Sequence, residues 1–431
     1  MAKNNITQYD ATAANNTDID SINIAEGMAA SDVNNAIRSL MSHLKNMDTG
    51  SQALTSPSFT AMSTDTINEK TSTNGVAIDS VTLKDGELGT TASPVPINSS
   101  SLNGGQFGGR RNLVINGAMM VAQRGTTASF AGSGGGYVSL DRFKTFSNGG
   151  GALTLSQETD VPSGEGFINS MKVTVNTADS SIATGDYYVL QQNIEGNACS
   201  HLMQGTANAE TITISFYVKS SLTGNFGGAL NNNASNRAYP FQYTINSANT
   251  WEKITKTITL DTSGTWATDN TIGLRLQWDF GSGATFQGTA NAWASANYHT
   301  APSSVQLIGT NSATWFVTGF QIEVGSVATP FEHRSFGEEK RLCQRYYQQE
   351  TVTWQLGVEG TRNTLLPFPH KVSMRSAPTS TLTGGSASNG VLLGTSAVTS
   401  ETTGFHFWKG GSGSLQNAVF SGYTFKADSE L

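Results

Sequence analysis

Aromatic rings in polar loops are the residues of this sequence best suited to ligand chemistry. A ring face stacks on the C–H side of a sugar, and neighbouring polar groups bind the sugar hydroxyls. Three rings and one cation fit this pattern: Trp266, Trp293, Tyr298 and Arg275, the last on the polar side of a predicted strand. Loop aromatics also suit a core that closes the end of a domain. The pattern therefore predicts a glycan contact at these four residues and leaves the packing alternative open.

Catalytic and metal-binding patterns do not occur in the sequence. It contains no H-E-x-x-H, G-x-S-x-G, P-loop or EF-hand spacing, and its six histidines are scattered. Cleavage of a polysaccharide needs two carboxylates across a groove. Asp279 is the one carboxylate in a predicted sandwich strand that suits this role, and the sequence offers it no evident partner. We expect no enzyme activity, no cofactor and no metal site.

Composition excludes several classes of partner. The chain has 431 residues, only 13% of them charged, and a formal net charge of -7. This acidic balance lacks the basic surface that nucleic-acid binding needs. No run of eighteen apolar residues and no apolar signal segment occurs, so we expect a soluble, non-exported chain without membrane insertion. Cys199 and Cys343 lie far apart in sequence and are expected to be free thiols.

Residues 1–50 are predicted to contain an oligomerising helix. In SDVNNAIRSLMSHLKNMDTG the apolar residues step by four and three, which is the a/d spacing of a heptad seam. The seam consists of Val33, Ile37, Leu40, Leu44 and Met47. Ser31 is the expected N-cap, Gly50 lies beyond the end, and a helix this short is marginal alone. The seam must be covered either by the same helix of sister chains or by another protein. We favour oligomerisation, with packing on the chain's own domain as the alternative.

Residues 51–110 are rich in Ser, Thr and Gly and lack an apolar run long enough for a core. Two short β runs occur within this stretch, at Val76 and Ile78 and then at Val81 and Leu83. Strands this thin become stable when several chains wrap around one another and share a sheet. Composition alone leaves two alternatives equally open, an intertwined β shaft and a disordered linker.

Residues 111–334 have the pattern of a two-sheet β-sandwich, with alternating runs separated by Gly, Ser, Asn and Asp. The predicted strands are ALTLSQE, NSMKVTVNT, DYYVLQQNI, ETITISFYVKS, WEKITKTITLD, TIGLRLQWDF and ATWFVTGFQIEVG. Each strand is expected to have one buried and one solvated face. In the last strand, Phe320 and Ile322 are assigned to the core, and Gln321 and Glu323 to the surface. A smaller β domain is predicted at 351–431, with VTWQLGVEG, STLTG, GVLLGT, GFHFWKGG and AVFSGYTFK as its strands.

Residues 335–350 are predicted to form a capped helical connector between these two β parts. Ser335 and Glu338 stand in the S-x-x-E relation of a capping box. Acidic residues follow at the start and basic residues toward the end, which is the order that the helix dipole favours. Tyr346 lies four residues after Leu342, so both are expected to dock the connector onto a neighbouring β part.

Several segments resemble proteins of tailed bacteriophages. GFQIEVGSVATPFEHRSFGEEKRLCQRYYQ resembles the segment that closes a carbohydrate-binding-module-like jelly roll in phage tail fibres and receptor-binding proteins, and NLVINGAMMVAQRGT with YVSLDRF resembles its opening. INIAEGMAASDVNNAIRSLMSHLKNM is similar to virion-proximal segments, and INEKTSTNGVAIDSVTLKDG to shaft segments. FPHKVSMRSAPTSTLTGG and YTFKADSEL resemble the small β domain that commonly follows.

The resemblance implies a mainly β, trimeric fibre. In this fold an N-terminal coiled-coil-type helix and a thin β shaft precede a jelly-roll sandwich and a smaller C-terminal β domain. Related modules often carry an acidic residue after Asn-Gly in their first strand. This chain has Asn116-Gly117-Ala118 instead, which leaves their structural calcium site without that residue.

Three functions follow from the residues and the resemblance together. The first is a non-enzymatic tail fibre protein, made in the host bacterial cytoplasm, that attaches to other virion proteins by its N-terminus and binds host surface polysaccharide. The second is a purely structural virion component, such as a tail adaptor or a head fibre, that binds no sugar. The third is a polysaccharide depolymerase tail spike, which requires a carboxylate pair in a groove.

Overall fold

The computed structural model describes residues 3–4, 6–49, 51, 89–90, 93–94, 101–102, 105–106, 110–356, 364–388, 398–409 and 418–431. The chain divides into two compact units, Met1–Pro96 and Ile97–Leu431. The predicted shaft strands at 76–83, the predicted strand at 390–395 and Gly50 lie outside the described residues. The five-part division of the chain made from the sequence stays a prediction.

Helix α1 (Ala30–Asp48) is the longest element of the first unit. Before it, β1 (Asp18–Ile19) pairs antiparallel with β2 (Ile22–Asn23). One face of α1 is anchored to this N-terminal segment by His43, which is buried. The Nε2 atom of His43 lies 3.1 Å from Asp20 Oδ2, and its Nδ1 atom lies 2.5 Å from the hydroxyl of Tyr9. Polar contacts therefore hold that side of the helix.

The start of α1 differs from the prediction of an N-cap at Ser31. Ala29 occupies the N-cap position with extended dihedral angles, no side chain caps the helix, and Ser31 lies inside the first turn. A turn precedes the helix, in which Met28 N donates to Ala25 O. Because this turn ends directly before Ala29, the helix can begin earlier than the predicted cap. Among the described residues, no helix combines the length and apolar character needed to cross a membrane.

The second unit is built around a sandwich of two sheets. Short strand pairs precede the sandwich: β3 (Gly89–Thr90) with β4 (Ser93–Pro94), in the first unit, and β5 (Ser101–Leu102) with β6 (Gly105–Gln106). The sandwich strands are β7 (Thr127–Ala131), β8 (Gly134–Gly136), β9 (Phe143–Asn148), β10 (Ala152–Glu158), β11 (Ser170–Thr177), β12 (Tyr187–Glu195), β13 (Thr211–Ser220), β14 (Gly224–Asn231), β15 (Ala238–Ile245), β16 (Glu252–Thr259), β17 (Ile272–Ser282) and β18 (Thr314–Val324). The first sheet has the order β16-β13-β18-β11-β10-β7 and the second the order β15-β14-β17-β12-β9-β8, with antiparallel pairing throughout.

The remaining helical elements are short. Apart from the connector helix at Phe336–Gln344, those in the part of the chain that the structure describes are the α-helix α2 (Gly196–Cys199) and 3-10 turns at Ile6–Gln8, Ala13–Asn15, Ser200–Leu202, Ala284–Phe286 and Leu307–Gly309. Cys199 in α2 and Cys343 are both free and buried.

The alternation of apolar residues correctly predicts the inner faces of the two sheets. In β13 the core-facing side chains are fully buried, and so are those of β17 from Leu274 to Phe280. The β13 set is Ile212, Ile214, Phe216 and Val218. The centre of the core is aromatic: the rings of Trp278 and Phe320, from opposite sheets, lie 4.4 Å apart between centroids. Alternation works here because the two inner faces pack only against each other.

The expectation of a solvated outer face is wrong for much of the sandwich. Gln321 and Glu323, assigned to the surface, are fully buried. The chain that follows β18 folds back over them: Thr329 donates from its backbone N to Glu323 Oε1 at 2.9 Å, and Glu332 donates from its backbone N to Gln321 Oε1 at 2.9 Å. The covering segment supplies hydrogen bonds in place of water, which is why charged side chains are tolerated in a buried layer.

The connector is helical as predicted. Helix α3 (Phe336–Gln344) begins after Ser335, whose hydroxyl accepts a hydrogen bond from Glu338 N at 3.3 Å. Tyr346 follows the helix and is buried, and its hydroxyl donates to Glu195 Oε2 at 2.7 Å. The predicted docking by Tyr346 is therefore confirmed, and it fastens the connector to the end of β12.

The last part of the chain forms two small sheets. Its strands are β19 (Tyr347–Leu356), β20 (Thr364–Pro369), β21 (Thr379–Ser388), β22 (Val398–Ser400), β23 (Gly404–Lys409) and β24 (Ala418–Asp428). One sheet has the order β19-β24-β21 and the other the order β20-β23-β22, with antiparallel pairing. β20 was not predicted, because two prolines interrupt its pattern.

A buried polar cluster joins the start of the sandwich to α3. Arg334 donates from Nη1 to the carbonyl of Val114 at 3.0 Å and lies 3.5 Å from Glu339 Oε2, while Glu339 Oε1 accepts the backbone N–H of Asn116. Arg334 and Glu339 are both buried. Next to them, Gly117 lies against β18 so closely that a Cβ there would be 2.2 Å from the carbonyl oxygen of Phe320. The segment 111–117 is thus held in place by paired charge and by a glycine that permits close approach.

We predict that Glu339→Ala lowers the free energy of unfolding by about 1–3 kcal/mol, because it leaves the backbone N–H of Asn116 buried without its acceptor and leaves Glu332 as the remaining carboxylate beside Arg334. Glu338→Ala is the matched control, since Glu338 is exposed in the same helical turn. Its loss should stay below about 1 kcal/mol. Urea unfolding followed by tryptophan fluorescence measures both values. Equal unfolding midpoints for the two variants would contradict the prediction.

Candidate functional site

The two predicted loop tryptophans pack against each other. Trp266 follows β16 and is 8% exposed, and its Nε1 donates to the carbonyl of Ser263 at 3.0 Å. The ring of Trp293 meets it edge-on, with centroids 5.5 Å apart. Trp293 is half-buried, contacts the ring of Tyr239 at 5.1 Å and donates from Nε1 to Thr259 O. Trp266 therefore presents no open ring face for a sugar, because it forms part of the core that closes one end of the sandwich.

Arg275 and Tyr298 lie over the outer face of the second sheet. Arg275 donates from Nη1 to Ser235 Oγ at 2.8 Å and from Nε to Asn193 Oδ1 at 3.3 Å, and burial lowers its pKa. Its cross-strand neighbour Asn231 donates to the carbonyl of Tyr298 at 3.1 Å. These contacts already use donors of the guanidinium group. The predicted glycan contacts at Arg275, Tyr298 and Trp293 stay predictions.

The outer face of the second sheet is covered by the loop between β17 and β18. Asp279, on this face, is 1% exposed, and its Oδ1 accepts from Ser282 Oγ at 2.5 Å. Burial raises the pKa of Asp279 to about 7, and Oδ2 has no hydrogen-bond partner among the described residues. His299 of the loop stacks on Phe286 at 4.5 Å, and burial lowers the pKa of its imidazole to about 3. A carboxylate sealed in this way does not reach a polysaccharide in solution.

A second buried cluster fastens the chain end to the sandwich. The carboxylate of Glu430 is paired with Arg142 and with Arg124, the latter at 3.2 Å, and Arg124 also lies 3.1 Å from Asp428. The guanidinium of Arg124 stacks on the ring of Tyr347 at 3.5 Å. Because these residues come from the sandwich, from β19 and from the end of β24, the cluster holds the final sheet against the sandwich.

A cleft of about 460 Å³ opens beside this cluster. It is lined by Arg124, Val138, Tyr347, Thr379, Thr381, Lys426 and Asp428. None of these residues was predicted as a site from the sequence. Arg124 and Lys426 lie about three hundred positions apart in the sequence. Each belongs to a segment quoted above for its resemblance to phage proteins, but no local signal shows that the two segments meet at a cleft.

We predict that Asp279→Asn makes the free energy of unfolding less dependent on pH. The folded state holds a proton on Asp279 up to about pH 7, whereas the unfolded chain releases it near pH 4. The stabilising contribution of that proton is therefore full below pH 4 and is lost as pH rises through 7, by up to about 4 kcal/mol. Relative to the parent, the Asn variant should gain stability between pH 4.5 and pH 8.

Urea unfolding of parent and variant at both pH values measures this difference. The depressed pKa of His299 has the opposite effect, since the stability it contributes is lost as pH falls from about 6.5 toward 3. Both proteins carry His299, so its effect cancels in the comparison. A difference between them that is the same at both pH values would show that Asp279 does not hold the proton.

The chain resembles several solved structures at low similarity, while no family model and no curated protein matches it. The enzymatically active domain of tailspike protein 4 from bacteriophage CBA120 is 12% identical over 49% of this chain and 21% of that chain, with a TM-score of 0.27. A family 11 carbohydrate-binding module of a Clostridium thermocellum cellulase is 14% identical over 48% and 100% of the two chains, with a TM-score of 0.24. A xylan-binding domain from Paenibacillus barcinonensis is 10% identical over 51% and 100%, with a TM-score of 0.23. The chain thus spans about a fifth of the tailspike domain, and these likenesses carry no inference about its activity.

Proposed function

We propose that this chain is a trimeric fibre protein of a tailed-phage virion that attaches through its N-terminal unit and adheres to host surface glycans without cleaving them. The observation that carries the proposal is the apolar stripe of α1, defined as Val33, Ile37, Leu40, Leu44 and Met47. Four of these side chains are strongly exposed: Val33 by 43%, Ile37 by 53%, Leu40 by 39% and Leu44 by 44%.

The stripe supports assembly because the other face of α1 is already packed within the chain. The face of α1 that carries His43 packs on the chain's own N-terminal segment, so the alternative in which the stripe packs there has no support. An a/d stripe left open in one chain matches the seam of a coiled coil. Full burial of one such side chain stabilises a protein by about 1.5–3 kcal/mol. Because these side chains are about half exposed in a single chain, roughly half of that free energy would come from contacts with another copy. Three copies of α1 supply one another with the missing contacts.

The adhesive role is a separate part of the proposal. Trp266 and Trp293 are turned toward each other, which favours the second candidate, a structural virion component without a sugar platform on its sandwich. The cleft beside the final sheet keeps adhesion as the first candidate, because it is open, is lined by both polar and apolar side chains, and is large enough for a sugar. For the third candidate, a depolymerase, Asp279 offers no support since it is sealed beneath a loop.

We predict that Ile37→Asp combined with Leu40→Asp dissociates the assembly, because two charges per chain in an apolar seam cannot be desolvated cheaply. The matched control is Asn35→Asp with Ser42→Asp, which places the same charges on exposed residues outside the stripe. Light scattering coupled to size-exclusion chromatography should give a trimer mass for parent and control and a monomer mass for the stripe variant. An unchanged mass for the stripe variant contradicts the proposed seam.

We predict that the purified parent protein retains a surface polysaccharide without shortening it. The test uses an array of bacterial capsular and O-antigen polysaccharides, with binding measured by co-sedimentation and chain length by gel filtration. Retention at constant length supports adhesion. Shortening with new reducing ends supports the depolymerase, and no retention on the whole array supports the structural component.

A further inference from the structure

We propose that the cleft beside the final sheet binds a uronic-acid residue of a glycan, with the ammonium group of Lys426 as the partner of the sugar carboxylate. This inference rests on the proposed adhesive function and names the site and sugar class for it. The cleft's volume of about 460 Å³ falls within the range of about 300–1,000 Å³ typical of ligand sites.

Lys426 supplies the charge that selects an acid. The cleft is lined by two cations, and Arg124 is already paired with Glu430 and Asp428 at 3.2 and 3.1 Å. The ammonium group of Lys426 has no ion pair or hydrogen bond to any residue that the structure describes, and the residue is half-buried at the cleft wall. A partly desolvated ammonium gains most from an anionic partner. A carboxylate entering the cleft provides that partner.

Side chains that can bind the sugar hydroxyls lie on the same sheet face as Lys426. In the register of β21 and β24, Thr381 lies opposite Lys426 and Thr379 lies opposite Asp428. Both threonines are exposed, and the Asp428 side chain is 45% exposed. A threonine hydroxyl both donates and accepts, and a carboxylate accepts from sugar hydroxyls. One cation, one carboxylate and two hydroxyls side by side match a sugar that carries one carboxylate and several hydroxyls.

The cleft is formed in advance of binding. Arg124, which lines the cleft, is fixed by stacking on Tyr347 and by two ion pairs, and the Glu430 carboxylate that it contacts is itself held by Arg142. Arg375 adds a further tie from the final part of the chain, since it donates from Nη1 to the carbonyl of Asn270 at 2.7 Å. A site with fixed walls loses little conformational freedom when it binds, so a few polar contacts give measurable affinity.

The test is a calorimetric titration of the full chain with two acidic probes, trigalacturonate and a hyaluronan tetrasaccharide. Trigalacturonate is compared with its fully methyl-esterified form, which keeps every hydroxyl and loses the charges. We expect at least one acidic probe to bind. We expect the ester or Lys426→Gln to weaken binding about 10-fold, as loss of a hydrogen bond to a charged group does. The control Lys253→Gln removes an exposed strand lysine outside the cleft and should bind like the parent.

The inference is overturned if neither acidic probe binds, if acid and ester bind the parent equally, or if Lys426→Gln binds the acid as the parent does. The comparison of acid with ester uses the parent alone, so it holds even where a variant folds poorly. Failure of the broader function is distinguishable. A polysaccharide that both parent and Lys426→Gln retain equally leaves adhesion standing and removes this cleft, whereas no retention of any polysaccharide removes adhesion as well.

Discussion

The second unit depends on buried ion pairs where the sandwich meets the last part of the chain. The clearest case is Glu430, which lies between Arg124 and Arg142 with its side chain almost fully buried. Burial raises the pKa of Glu430, and the two guanidinium groups oppose that shift. Removing the shared Glu430 carboxylate leaves the buried Arg142 without its ion-pair partner, at a cost of about 3–5 kcal/mol. A chain with only 13% charged residues thus uses several of them to fix how its parts join.

This constraint also decides which surfaces stay open. The buried cluster around Glu430 brings residue 431 over the second sheet, where the backbone oxygen of Leu431 accepts from the hydroxyl of Tyr137 at 2.8 Å and from Asn193 Nδ2 at 3.1 Å. The loop that carries His299 covers another part of the same face. These regions of the sheet face are occupied by the chain itself, whereas the cleft lies at the junction between the sandwich and the final sheet. The position of the cleft is therefore a consequence of how the parts are joined.

The sequence predicted those features that depend on residues close to one another in the chain. The cap at Ser335 follows from residues three positions apart, and the β13 core face follows from alternation within one strand. β14 was missed because GNFGGALN resembles a turn, yet a Cβ at Gly227 would lie 1.7 Å from Thr300 Oγ1 of the covering loop. That glycine is required by a contact from a distant segment. The burial of Glu323 and the cleft at Lys426 have the same origin, since in each case the neighbours come from elsewhere in the chain.

The proposed site and the proposed assembly depend on each other energetically. The contact between the half-buried Lys426 and a carboxylate contributes about 1.4 kcal/mol, which corresponds to the tenfold change in affinity expected above, and its neighbouring hydroxyl contacts add modestly to that. Such a site binds one sugar weakly. Linking several sites in one particle raises the overall strength by about 10²–10⁴ without any new contact, provided that the sites engage one polymer together. In the proposed assembly the open stripe of α1 supplies the linkage, and in the proposed recognition a repeating acidic polysaccharide supplies the many equivalent ligands. Weak recognition at Lys426 is thus sufficient for adhesion only in an assembled fibre, which explains why a chain built in this way would carry both features.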